Sequence, residues 1–157
     1  MLDLSVIKEL SDEEKKWLAS AVVGAAVADH VIVNTEVRYV QEVLEHLDSD
    51  NKMGLLLDLM KRKEMPELPK LHIKRLHAAK IFVYLAQVTI IDNKLSESEV
   101  KFLQHIGQNL GFGDEEIHLV VNWAYEIALL AKKEEELIEL LGKESEHTRF
   151  SMKDPAQ

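Results

Sequence analysis

The chain has no cysteine among its 157 residues, which removes a disulfide framework, thiolate-ligated zinc and cysteine nucleophiles together. Proline and glycine are scarce, at three and six residues, so long stretches pass without a helix breaker. Aromatic residues make up 6% of the chain and do not interleave with basic ones, so no stacking surface for nucleic acid is expected. Positive charge is in deficit. Nineteen basic against 28 acidic side chains leave a formal net charge of −9, which opposes duplex binding. Long apolar runs are missing too: residues 18–28 and 81–91 fall short of a bilayer span, and no transmembrane segment is expected. Met1–Leu10 carries acids and lacks a basic start followed by an apolar stretch, so the expected location is cytoplasmic.

What remains is an ordinary globular balance, 46% apolar and 30% charged. Apolar residues recur at helical spacing throughout and strand patterns are nearly absent, so the chain reads as all-α. Ser11-Asp-Glu-Glu14 forms a capping-box pattern. It predicts a helix over 12–28 with Trp17, Leu18, Ala21, Val22, Ala25 and Ala28 on its apolar face. Further helices are expected at 34–47, 51–63, 71–91, 96–110 and 114–131, the last continuing towards Leu141. Pro66 and Pro69 mark 64–70 as a linker. One domain over 1–142 is expected, a bundle of six to seven helices, with 143–157 as a flexible tail. Trp17, Trp123, Tyr39, Phe82, Tyr84 and Phe102 all fall on apolar stripes and read as core.

The chain also repeats itself. Shifted by 63 residues, Ala28–Leu47 lies on Ile91–Leu110, and five of the twenty pairs are identical: Asp29/Asp92, Glu36/Glu99, Val37/Val100, Gln41/Gln104 and Leu47/Leu110. Composition alone gives about one such identity. The expected architecture is two related halves, about 12–63 and 71–131, packed about a pseudo-twofold axis because neither can bury its apolar face alone.

Within the repeat the shared pattern is Asp-x-x-[Ile/Leu]-x-x-x-Glu, read as Asp29…Ile32…Glu36 and Asp92…Leu95…Glu99. With the alanine-rich stretch Ala19–Ala28 before the first copy, the chain resembles the TerB-like family of tellurite-resistance and DjlA-type helical domains over residues 12–131. Family members usually carry glycine after the Asp; here His30 and Asn93 stand there. The resemblance implies a role in tellurite resistance or envelope stress, and an association with metals.

The same pattern imitates the second half of an EF-hand loop. The first half fails, because Ala25, Val27, Val88 and Ile90 fall where calcium needs oxygen ligands. If the two corners meet, Asp29, Glu36, Asp92 and Glu99 form a carboxylate cluster that needs a neutralising cation, with Mg²⁺, Ca²⁺ or Mn²⁺ the suitable ions. Against this, Glu36 and Glu99 lie in expected first helical turns, where negative charge is favourable without a metal. Ser96 and Glu99 form a second capping box, and both Asp side chains can bond their own turns.

Enzymatic alternatives are poorly served. Glu115–His118 and Glu144–His147 have the Glu-x-x-His step of a di-iron bundle, but the first opens a helix and the second lies in the tail. His72 and His77 are five apart and point in different directions on a helix. No phosphate loop, zinc helix or nucleophile elbow is present, and Gly111-Phe-Gly113 reads as a turn. Lys61–Lys80 carries a net +5, leaving −14 elsewhere, and reads as a solvated face or as a dock for an acidic partner or membrane-associated complex. Three functions are therefore expected in order. The first is a non-enzymatic stress-response domain presenting Asp29, Glu36, Asp92 and Glu99 to a divalent cation or protein partner. A metal-dependent enzyme using the same acids with His30 as base comes next, then a structural homo-oligomerisation module.

Overall fold

The computed structural model describes residues 4–28, 45, 53–90 and 94–143. Among them are six helices and no strand: α1 (Leu4–Glu9), α2 (Asp12–Ala28), α3 (Met53–Lys61), α4 (Arg75–Thr89), α5 (Glu97–Asn109) and α6 (Asp114–Gly142). Helix α2 is the hub, packing against α3, α4 and α5, while α6 lies across α4 and α5. The helix expected at 34–47, with Tyr39, falls outside the described residues.

Helix α2 begins where Ser11 predicts, with the Glu14 N–H donating to Ser11 Oγ at 3.2 Å. Its apolar surface is wider than a single face. Every residue from Ala21 to Ala28 is buried, Val23, Gly24, Ala26 and Val27 included. A helix that is apolar all round belongs at the centre of a bundle, and small side chains let three neighbours approach it. Trp17, Phe82, Tyr84 and Phe102 join that core, and Trp123 packs against it half-buried.

Residues 64–74 extend the irregular stretch expected over 64–70 and correct the expected start of the fourth helix. They form an irregular strap, and α4 starts at Arg75 rather than near Leu71. The strap is pinned at both sides. Trp17 Nε1 donates to the Pro69 carbonyl at 2.7 Å. Asn109 Nδ2 donates to the Leu68 carbonyl at 2.7 Å, and the Leu71 N–H donates to the Asn109 carbonyl at 2.9 Å. Pro66, Leu68 and Leu71 are buried beneath it. Leu71 thus places its N–H in a long-range bond, and the helix starts beyond it.

Helix α5 ends in a Schellman motif: the Phe112 N–H reaches the Gly107 carbonyl at 2.9 Å and the Gly111 N–H reaches Gln108 at 3.0 Å. Gly111 has φ +89°, a conformation that favours glycine. The turn delivers Phe112 onto Phe82, with ring centroids 5.3 Å apart. Arg75 lies over the other side of this turn, 4.3 Å from the Phe112 ring centroid, and donates to the Gly111 carbonyl at 3.0 Å. It also pairs with Glu116 in the first turn of α6. The Gly113 N–H and the Arg75 guanidinium hold the Glu116 carboxyl below its ordinary pKa. A carboxylate lowered on folding stabilises at neutral pH, and that contribution disappears as pH falls through the folded value. The Tm difference between wild type and Glu116→Gln should therefore be largest at neutral pH and shrink as the pH falls through the carboxylate range. A pH-independent difference in calorimetry would refute this role.

Candidate functional site

Of the four carboxylates expected to make a cation site, Glu99 has a described environment. Asp29, Glu36 and Asp92, with His30 and Asn93, lie outside the described residues. Glu99 is fully buried in the first turn of α5. Its Oε1 accepts from the Ser96 N–H at 2.9 Å, and its own N–H donates to Ser96 Oγ at 3.2 Å. The capping box is complete. Ser98 Oγ donates to the Ala28 carbonyl at 2.7 Å, tying the start of α5 to the end of α2. The helix dipole favours the Glu99 charge there, so the carboxylate has structural work without an ion.

Glutamine can accept the same capping bond without the charge. Glu99→Gln should cost less than about 1 kcal/mol and Glu99→Ala about 2 kcal/mol in urea unfolding, because alanine leaves the part-buried Ser96 N–H without its acceptor. Equal losses in the two variants would mean that charge, not capping, is what Glu99 supplies.

Ala25, Val27, Val88 and Ile90 are all buried in the core, so no side-chain oxygen is present at the first-half positions of either EF-hand-like pattern. Among the described residues no group of three His, Asp or Glu side chains comes together to hold a metal. Glu115 and His118 are both exposed on the first two turns of α6, away from the bundle core. His77 Nε2 pairs with Glu9 at 2.9 Å, while His72 is exposed. Within the basic stretch, Arg62 pairs with Asp58 at 2.9 Å and Arg75 serves the α5–α6 turn. Lys70, Lys74 and Lys80 face solvent.

A groove of about 370 Å³ lies between α5 and α6, lined by Gln104, Gln108, Asp114, Ile117, His118 and Val121. Its acid and its imidazole are exposed.

The feature that sequence reasoning missed is on α6. The helix reaches Gly142, and its second half carries Leu130, Leu137, Ile138, Leu140 and Leu141 at 66%, 47%, 64%, 68% and 79% exposure. The sequence carries the helix towards Leu141 without saying what its leucines face, and the bundle leaves them uncovered. Among the described residues no helix is long and apolar enough to cross a membrane. No family model, curated protein or solved structure matches the chain.

Proposed function

We propose that the chain is a non-enzymatic helical interaction domain of the TerB-like kind, serving a stress-response or tellurite-resistance system by engaging a protein partner. The observation that carries this reading is the apolar surface on the second half of α6. Single exposed leucines are ordinary, but contiguous ones mark a surface that another molecule covers. With no thiol in the chain to reduce or ligate tellurium, any part in resistance is indirect. We propose also that the fold arose by duplication. In support, the 63-residue shift carries Asp12, the first residue of α2, onto Arg75, the first residue of α4, and lays α3 within α6.

Photo-crosslinking in cells tests the interaction reading. A photoreactive residue at Leu137 should give a discrete adduct, and one at Lys101 on the exposed side of α5 should not. Equal labelling at both positions, or none at Leu137, refutes it. A metal titration tests the cation alternative. In the metal-stripped protein, amide signals of 29–36 and 92–99 should stay still at millimolar Mg²⁺, Ca²⁺ or Mn²⁺. Localised shifts lost in Asp29→Asn/Asp92→Asn would restore the carboxylate site.

A further inference from the structure

Part of the apolar surface on the second half of α6 falls on one stripe, interrupted by Glu134 and flanked by exposed Leu129, Ile138 and Leu140. Trp123, Ile127, Leu130, Glu134, Leu137 and Leu141 follow one another at steps of four, three, four, three and four. That is the a/d spacing of a coiled coil, in which two helices interlock along one seam. Ile127, Glu134 and Leu141 take one seam position, and Trp123, Leu130 and Leu137 the other. The core-facing residues Ile117, Ala124 and Ala128 lie on a neighbouring stripe, so the bundle uses a different face of the same helix. Trp123 and Ile127 are half-covered by the bundle, and from Leu130 onwards the seam is open.

Resting on the interaction reading above, we infer that the occupant of this seam is a second copy of the chain, with the two α6 helices antiparallel. Charge decides the orientation. A parallel pair sets Glu134 against Glu134 of the second copy inside the seam, where two like charges repel. It also sets Glu126 and Lys133, which flank the seam, beside Ala131 and Ile138, with no charge to meet. An antiparallel pair centred between Ile127 and Leu130 stacks Ile127 on Leu130 of the second copy. Val120 then meets Leu137 of the second copy, and Glu134 meets Trp123 of the second copy, whose indole N–H can donate to the carboxylate. In that register Glu126 faces Lys133 of the second copy, twice by symmetry, so flanking charges become complementary. A lipid surface fits poorly, since the outer side of α6 carries Glu136 and Glu139 and interfacial helices are basic there.

Sedimentation of the full chain with charge-swapped variants is the test. The wild type should be a dimer at about 100 µM. Leu130→Glu/Leu137→Glu should be a folded monomer by circular dichroism, because both positions are exposed in the single chain. Lys133→Glu should weaken the dimer about tenfold by turning two attractive pairs repulsive, and Glu126→Lys/Lys133→Glu should restore it to within about threefold. The absence of native cysteine permits an orientation test. Leu130→Cys should form an intermolecular disulfide and Leu141→Cys should not, since antiparallel packing separates the two Leu141 positions by about 37 Å at 1.5 Å per residue.

A monomeric wild type, no rescue by the double swap, or ready crosslinking of Leu141→Cys overturns the inference. So does binding of a monomer to anionic vesicles. The two readings fail separately: a monomer that still gives a Leu137 photo-adduct with another protein sinks the dimer and leaves the interaction domain standing.

Discussion

Replacing Phe82 by alanine should destabilise the protein by about 4 kcal/mol and lower Tm by roughly 10 °C. Phe82 is among the largest fully buried side chains of the bundle. It sits on α4 where that helix meets α5 and α6, and one ring edge approaches Gly107 while the ring stacks on Phe112. Truncation removes the transfer energy of the ring and leaves a cavity between three helices. Those helices cannot close it without breaking other contacts. It also unseats Phe112, the residue on which Arg75 rests. The loss should therefore exceed that of an isolated core phenylalanine at the same burial, with weaker Arg75–Glu116 coupling in a double-mutant cycle. A loss below about 2 kcal/mol in chemical denaturation would mean that the corner collapses onto the gap.

Gly107→Ala should be the more surprising variant, because it raises helix propensity and still destabilises. Alanine in a helix interior is favoured over glycine by about 1 kcal/mol. Yet a Cβ built on Gly107 lies 2.5 Å from Ile117 Cγ1 and 2.9 Å from Phe82 Cζ. Both neighbours are buried, so neither side chain has free space into which to turn. Overpacking of this kind costs about 1–3 kcal/mol, and the clash with Cγ1 is near the Ile117 backbone rather than at a flexible tip. We expect a net loss of about 2 kcal/mol, with part of it recovered in the Ile117→Ala background, which removes Cγ1 and opens room for the added methyl. A gain in Tm for Gly107→Ala would show that α5 and α6 can move apart at no cost.

These two sites show where sequence and structure part company. Helix starts governed by adjacent residues were legible: Ser11 opens α2, and Ser96 with Glu99 opens α5. Each depends on a bond three residues long. The late start of α4 was not legible, because it follows from Leu71 bonding to Asn109, 38 positions away. The end of α3 was equally hidden. Lys63 takes a positive φ of 58° in a Schellman turn where glycine would have announced the stop. Helix α1 has six residues and is held by Val6 and Ile7 in the core, a signal too short to carry a period. The wide burial of α2 was present as an unbroken apolar run over 21–28, which a one-face reading undervalues. For the expected carboxylate site, the Ser96–Glu99 spacing already pointed to capping, and that is the role in which Glu99 is found. The open seam on α6 could be read only once the bundle's end was known, since exposure is a property of neighbours rather than of residues.

The strap over 64–74 has a further consequence for how the molecule comes apart. It is bonded to α2 through Trp17 and to the end of α5 through Asn109, so the stretch between the halves of the chain before and after it is tied down on both sides. A protease nick there would cut the covalent thread and leave the interface intact, with α2 still wedged among helices from beyond the cut. The halves would behave as fragments that complement one another rather than as domains on a tether, and heat would melt them in a single step.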